Sequence, residues 1–220
     1  MLNLIQADFA EILRQMDFTK YHLGCNALNF EGWLNIDWHP HANHGAVYKS
    51  PFKGNEEAFF LNFDLRKGIP ADDSSLQYVY HSHFLEHLTF KDGINLIRET
   101  SRVLQRGGKQ RIVVPDLEKF AKSYLEKTDD LIEQYAATEP WFKANPEYKT
   151  RGSQFMAMLY EFGHKMGWDY ETLSGLLEDS GFKNIRKVEY QESDFPDILD
   201  IENYSEMRIA ESLFVECEKR

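Results

Sequence analysis

Hydrophobic positions follow two different periods along the chain, and the alternation between them predicts an α/β fold. Short apolar runs that end on a polar residue predict strands, whereas apolar residues three and four positions apart predict amphipathic helices. The predicted strands cover 20–23, 33–36, 58–63, 76–80, 111–114, 185–190 and 213–217. The predicted helices cover 3–16, 90–104, 116–131, 153–162 and 169–180. Because strands alternate with helices, we expect a mainly parallel sheet with helices on both faces.

The length of 220 residues suits a single α/β domain spanning 1–220. Residues 1–19 form a predicted lead-in helix. Residues 137–168 contain an irregular, aromatic stretch that we interpret as an insertion over the active face, where loops carry specificity. A packed surface loop is an equally good interpretation of the same stretch.

Polar or conformationally permissive residues follow the ends of the predicted strands. They are Gly24, Asp37, Asp64, Ser82 and Asp116. Ligands of open α/β sheets bind at the carboxyl ends of the strands. We therefore expect these five residues to share one binding rim.

Gly24 and Asp37 have the chemistry that a nucleoside requires. A glycine after the first strand lets a ligand approach the backbone, and an acidic residue closing the next strand can accept both ribose hydroxyls. The same two residues also fit an ordinary strand, turn and strand. The other motifs of the chain decide between these interpretations.

Composition narrows the class of partner. The formal net charge is −11, and residues 171–220 hold 13 acidic and 6 basic side chains, which disfavours a nucleic-acid partner. We expect a small-molecule, glycan or lipid-head-group substrate. Two cysteines suit a reducing cytoplasm, and we expect no signal peptide and no membrane span. The oligomeric state is left open.

Histidines cluster at two places. His39, His41 and His44 fit either a metal site or, more commonly, a solvated loop. His83, Glu86 and His87 match H-x-x-E-H, the inverzincin zinc-protease signature, which needs both histidines on one helical face. Because this segment directly follows a predicted strand, we disfavour zinc hydrolysis and expect no resident metal.

The whole segment 78–88, Tyr-Val-Tyr-His-Ser-His-Phe-Leu-Glu-His-Leu, supports another interpretation. Together with His-Leu-Gly-Cys at 22–25, Gly-Trp-Leu-Asn-Ile-Asp at 32–37, the segments 98–108 and 111–116, and the tail from 164, it resembles the class I S-adenosylmethionine-dependent methyltransferases. The likeness covers roughly 20–182 and is greatest to the type 11-like branch, often found in bacterial glycan biosynthesis. It implies a Rossmann-like three-layer sandwich whose mainly parallel, seven-stranded sheet ends in an antiparallel strand.

The resemblance also implies roles for individual residues. Leu23, Gly24 and Cys25 would lie against the methionine moiety of S-adenosyl-L-methionine, and Asn26 is a further cofactor-binding candidate. Asp37 would hold the ribose, Asp64 and the Leu65 amide would face the adenine, and His81 and Ser82 would line the floor near the sulfonium. Asp116 and Trp168 are candidate substrate contacts, although Asp116 is equally a helix cap. Asn26 stands where the family usually has glycine, and asparagine tolerates the left-handed backbone better than most residues.

The methyl acceptor is predicted to be an oxygen of a sugar, a glycan intermediate or a small metabolite. A hydroxyl acceptor loses its proton as the bond forms, and histidine suits that role at neutral pH. The candidate bases are His83, His87 and His164, with Glu86 orienting one of them; a structural histidine with satisfied hydrogen bonds is the alternative for each. Two other functions stay open: a non-catalytic binding protein of this fold, and an NAD-dependent oxidoreductase, which lacks the full G-x-G-x-x-G here.

Overall fold

The computed structural model describes residues 17–49, 57–127 and 131–220. The predicted lead-in helix at 3–16 and a predicted turn at 51–55 lie outside the described residues.

The described residues contain an eight-stranded sheet in the order β3-β4-β2-β1-β5-β6-β8-β7. Six strands run parallel to one another, while β3 and β8 run antiparallel to their neighbours. The antiparallel last strand confirms the prediction. The strands are β1 Lys20–Leu23, β2 Leu34–Asp37, β3 Val47–Lys49, β4 Phe59–Asn62, β5 Leu76–Ser82, β6 Leu104–Pro115, β7 Phe182–Val188 and β8 Ser212–Lys219.

The predicted count of seven strands is wrong, because β3 adds an eighth at the edge of the sheet. This strand has three residues and pairs antiparallel with β4, with Val47 opposite Leu61. Three residues are too few to show an alternating pattern in the sequence. Its existence depends on pairing with a partner strand that comes later in the chain.

Eight α-helices lie in the described residues: α1 Phe90–Val103, α2 Leu117–Glu126, α3 Leu131–Thr138, α4 Pro140–Ala144, α5 Arg151–Tyr160, α6 Tyr170–Asp179, α7 Ile198–Ile201 and α8 Glu206–Glu211. The predicted aspartate caps form. Asp116 accepts from the amides of Glu118 and Lys119, and Asp169 accepts from that of Thr172. None of the helices in the described ranges has the length and apolar character needed to cross a bilayer.

Side chains of the central strands point alternately to two cores. Val79 packs in the larger core with α1 and α6, whereas its neighbour Tyr80 packs in a smaller aromatic core on the opposite face. That second face is covered by Phe195, Ile198 and other residues around the four-residue α7. Within the described residues, long helices therefore pack on one face of the sheet only. A third cluster, formed by α2 to α5, lies beside the sheet and includes residues of the predicted insertion.

Candidate functional site

Two neighbouring pockets lie where the parallel strands end. The first, the strand-end pocket, has a volume of about 360 Å³ and is lined by Asp37, Trp38, Phe63, Asp64, Leu65, Arg66, Phe84, His87, Leu88 and Lys165. The second, the histidine pocket, has a volume of about 210 Å³ and is lined by Asn26, His83, Glu86, His87, Pro115, Phe120, Tyr135, Glu139, Met158, Phe162, His164, Arg208 and Glu211. His87 lines both pockets, so it marks their junction.

The turn after β1 brings the backbone close to a ring from the next segment. Gly24 has a φ of +66°, and its amide donates to the carbonyl of Ile36 at 2.8 Å. A Cβ atom at this position would overlap Cγ of Phe84. Glycine is therefore required here by the fold itself, in addition to any role toward a ligand.

Backbone amides hold the Asp37 carboxylate in a fixed orientation. Oδ2 accepts from the Asn26 amide at 2.7 Å, and Oδ1 accepts from the Trp38 amide at 2.6 Å. Asn26 has a φ of +44°, so it adopts the left-handed backbone that asparagine tolerates better than most residues. Each oxygen keeps acceptor capacity, which suits the two hydroxyls of a ribose.

Asp64 is already paired within the protein. Nε and Nη2 of Arg66 each donate to this carboxylate at 2.8 Å, and the hydrogen bonds hold the pKa of Asp64 below its usual value. Phe63 and Leu65 flank it in the strand-end pocket and supply apolar surface. The pocket thus combines two carboxylates with a flat apolar wall.

The hydrogen-bond partners of His83 define its protonation. Nη1 of Arg208 lies 2.7 Å from Nδ1, and arginine can only donate, so Nδ1 accepts. The proton is therefore on Nε2, which donates to Oγ of Ser212 at 2.8 Å. Burial, and then the charge of Arg208, lowers the pKa of His83 well below its usual value. Both ring nitrogens are in use, so His83 is a structural histidine rather than a free base.

His87 and His164 present imidazoles to the histidine pocket. Their ring centroids are 5.0 Å apart. Nδ1 of His164 lies 2.8 Å from the carbonyl of Met158 and must donate to it, which leaves a lone pair on Nε2. Burial lowers the pKa of His164. The His87 side chain is 39% exposed, so a ligand in the pocket can reach it.

Glu86 lies 2% exposed beneath these histidines, and neither of its carboxylate oxygens has a hydrogen-bond partner in the described part of the chain. Oε1 is 3.3 Å from Nδ1 of His83, but that nitrogen carries no proton to donate. Oε1 is also 4.0 Å from Nε2 of His87. Burial raises the pKa of Glu86.

The structure does not provide the helix that the H-x-x-E-H protease interpretation needs. His83 follows β5 with a φ of +48°, and residues Leu85–His87 form one short 3-10 turn. His83 and His87 therefore do not share a helical face. His39, His41 and His44 lie elsewhere, at the loop after β2, where His44 packs against Phe63.

Seven of the predicted site residues line neither pocket. Gly24 lies against the ring of Phe84, while Leu23 and Cys25 are buried beneath the turn, where burial raises the pKa of the Cys25 thiol. The other four make internal contacts: His81 with Gln110, Ser82 with Tyr204, Asp116 as the cap of α2, and Trp168 against Gly93.

For three of those four, burial gives the physical reason that they do not line a pocket. His81, Asp116 and Trp168 are each fully buried. The Asp116 carboxylate is satisfied by the amides of α2 and by Nζ of Lys187 at 3.4 Å. The structure therefore confirms Asp116 as a helix cap.

Several pocket residues were missed in the sequence. Arg208 and Glu211 come from α8, in the acidic C-terminal region, and their side chains are 3.0 Å apart. Tyr135 and Glu139 reach the histidine pocket from α3 and the residue after it. No motif marks any of them, because each reaches the pocket through packing between distant segments.

No protein-family model and no curated protein matches this sequence. Solved structures do match the fold. A SAM-dependent methyltransferase from Archaeoglobus fulgidus superposes with a TM-score of 0.50 at 15% identity, covering 96% of this chain and 92% of that one. An S-adenosylmethionine-dependent methyltransferase from Mesorhizobium loti gives 0.51 at 16% identity, covering 97% and 98%.

These likenesses define the class of fold: the chain has the Rossmann-like α/β architecture of S-adenosylmethionine-dependent methyltransferases. The strand-end pocket fits that cofactor chemically. The Asp37 carboxylate can accept from ribose hydroxyls, Phe63 and Leu65 supply apolar surface, and the pocket adjoins a second, polar one at His87.

Proposed function

We propose that the protein is an S-adenosylmethionine-dependent methyltransferase that methylates an oxygen of a small polar acceptor. The observation that carries the proposal is the amide-fixed carboxylate of Asp37, at the end of β2 and at the edge of a pocket with an apolar wall. The class of fold supports it.

In this proposal the strand-end pocket takes the nucleoside. Asp37 accepts from the ribose hydroxyls, while Asp64 and the amide of Leu65 face the adenine. The turn at Gly24 and Asn26 lies beside the methionine moiety. S-adenosylmethionine supplies an electrophilic methyl group on a sulfonium.

The histidine pocket takes the acceptor. Asn26 and His87 lie at its boundary with the nucleoside, which is where an acceptor oxygen must be held for an in-line transfer. His87 lies at the junction of the two pockets and is the group we assign to the acceptor proton. Glu86 would orient that ring once its Oε1, 4.0 Å from Nε2, moves within hydrogen-bonding distance. His164 is the second candidate. His83 is excluded from that role because both of its ring nitrogens are engaged.

The acceptor class follows from the lining of the histidine pocket. Glu139, Glu211, Arg208 and Tyr135 offer hydrogen bonds at several angles within about 210 Å³, which suits a compact molecule with several hydroxyls. A sugar, a glycan intermediate or a similar metabolite meets that description. The link to bacterial glycan biosynthesis rests on the resemblance to the type 11-like branch.

Residues 137–168 act in this proposal as the substrate-side segment. Glu139, Met158, Phe162 and His164, all from this range, line the histidine pocket. We assign the protein to the reducing cytoplasm, in keeping with two buried, unpaired cysteines.

Titration calorimetry with S-adenosylhomocysteine tests the cofactor assignment. We expect saturable binding and none with NAD. Tryptophan fluorescence tests whether the ligand binds in the strand-end pocket, because Trp38 lines that pocket and is 39% exposed. Binding should change the emission of the wild type and of a Trp141→Phe variant, but not of Trp38→Phe. A folded sample that binds NAD and not S-adenosylhomocysteine would reverse the assignment.

Transfer of labelled methyl separates an enzyme from a binding protein. The purified protein is incubated with labelled S-adenosylmethionine and a panel of sugars, sugar nucleotides and hydroxylated metabolites. Product formation supports catalysis, and tight cofactor binding without product on any extract fraction supports the non-catalytic alternative.

A further inference from the structure

Glu86, His87 and His164 form a cluster of side chains that are not hydrogen-bonded to one another. One ligand-type atom from each lies within 4.8 Å of the others. In a tetrahedral site with ligands about 2.1 Å from the ion, ligand atoms are roughly 3.4 Å apart. Side-chain movements of about 1 Å or less would close the cluster around an ion.

The backbone already holds the two contributing segments together. The amides of Lys165 and Met166 both donate to the carbonyl of Glu86, at 2.8 and 3.2 Å. This fixes the loop that carries His164 against the turn that carries Glu86 and His87. These main-chain hydrogen bonds therefore hold the three side chains close to one another.

The hydrogen bond from His164 to Met158 is the kind that orients a metal-binding imidazole. Nδ1 donates to a backbone carbonyl, so the tautomer is set and Nε2 presents its lone pair. Ligand histidines almost always donate the other ring N–H in this way. Nε2 of His87 faces Oε1 of Glu86 at 4.0 Å and completes the set of two nitrogens and one carboxylate.

Glu86 supplies an independent observation that points to a ligand. Its side chain is only 2% exposed, and both carboxylate oxygens lack a hydrogen-bond donor in the described residues. The nearest nitrogen, Nδ1 of His83, is an acceptor toward Arg208. A buried carboxylate without a donor is costly unless it is protonated or meets a cation.

From these contacts we infer that Glu86, His87 and His164 bind a divalent transition metal of the zinc class in the histidine pocket. Two imidazoles and one carboxylate suit Zn²⁺, and three protein ligands leave a fourth position open. This replaces the sequence expectation of no metal, and it uses His164 instead of His83. The role of such an ion in catalysis rests on the proposed function: with His87 and Glu86 engaged as ligands, an acceptor hydroxyl in the open position would lose its proton to solvent more readily, in place of direct proton transfer to His87.

Titration of the metal-stripped protein with Co²⁺ tests the site without any substrate. Tetrahedral or five-coordinate Co²⁺ with nitrogen and oxygen ligands gives visible absorption bands, and Zn²⁺ should displace it. We expect one Co²⁺ per chain. Glu86→Gln, His87→Ala and His164→Ala should each weaken binding by at least about 100-fold, since changes behind the ligands alone cost about 10- to 100-fold.

His41→Ala is the matched control, because it removes an exposed histidine from the other cluster and should leave Co²⁺ binding unchanged. His87→Ala is the ligand variant that we expect to fold normally, since that side chain is 39% exposed. Wild-type protein that binds S-adenosylhomocysteine but shows no Co²⁺ bands refutes the metal site alone. Bands that survive in His87→Ala and vanish in His41→Ala refute it too, by placing the ion in the loop after β2. Co²⁺ binding without nucleoside binding would instead refute the proposed function.

Discussion

The ring of Phe84 packs directly on the backbone of Gly24, so closely that a methyl group on the glycine would overlap the ring. The two residues belong to the segments that follow β1 and β5, which are neighbours in the sheet. One glycine therefore meets two demands: a left-handed backbone in the turn after β1, and close contact with Phe84, whose ring lines the strand-end pocket.

Gly24→Ala should destabilise the fold as well as weaken ligand binding. The substitution combines left-handed strain with overpacking against Phe84, and we expect a loss of roughly 2–4 kcal/mol in the free energy of unfolding. Denaturation in urea measures it. Gly175→Ala is the control, because Gly175 is exposed in α6 and a Cβ there would meet only open space, so alanine should stabilise by about 0.5–1 kcal/mol. Equal effects of the two variants would contradict this account.

Asp37→Asn should reduce the affinity for S-adenosylhomocysteine while leaving the protein folded. Asparagine retains one acceptor oxygen but loses the charge that strengthens hydrogen bonds from the ribose, a change of about 1.5–3 kcal/mol or roughly 10- to 100-fold in Kd. Calorimetry provides the measurement. Asp200→Asn, an exposed site that lines neither pocket, should bind as the wild type does. Unchanged affinity in Asp37→Asn would remove this residue from the proposed site.

Glu211 should make stability depend on pH. Burial raises its pKa from 4.5 to about 7, so the folded state holds the proton more tightly than the unfolded state. Its contribution is fully present below pH 4.5 and is lost as the pH rises to about 7. Between about pH 5.5 and 8 the wild type should lose roughly 2 kcal/mol relative to Glu211→Gln.

The comparison with Glu211→Gln is needed because buried histidines make the free energy of unfolding increase with pH, which opposes the effect of Glu211. Burial lowers the pKa of His22 from 6.5 to about 4, so its contribution is present above pH 6.5 and lost as the pH falls. Urea denaturation of both proteins at the two pH values isolates the glutamate. Parallel pH profiles for the two proteins would show that Glu211 titrates normally.

Arg111 should be important for the stability of the second core. It is fully buried, donates twice to Glu202 at 2.7 and 2.8 Å, and donates to Glu216 at 2.9 Å. Arg111→Ala removes the guanidinium that pairs with the fully buried Glu202 and should cost roughly 3–5 kcal/mol. Arg186→Ala removes a half-exposed partner of Glu216 and should cost about 1 kcal/mol or less. Denaturant midpoints compare the two, and similar losses would contradict the role of burial.

Much of the strand and helix pattern could be read from the sequence alone because its signals are local, whereas the short helices α3, α4, α7 and α8 were not predicted. Apolar periodicity located β1, β5 and α1, and the caps Asp116 and Asp169 marked where helices begin. The turn at Gly24 and the acidic residue at Asp37 were also readable, since a permissive backbone and a strand-end carboxylate are properties of single positions. The short β3 was not, because only a partner strand stabilises it.

Tertiary structure decided which histidines are free. His83 and His87 look alike in the sequence. Both ring nitrogens of His83, however, are hydrogen-bonded to Arg208 and Ser212, which lie 125 and 129 positions further along the chain. His81 and Trp168 were indistinguishable from pocket residues until packing buried them. Local chemistry specifies what a side chain can do, whereas its neighbours, brought together by the folded sheet, determine whether its atoms remain available to do it.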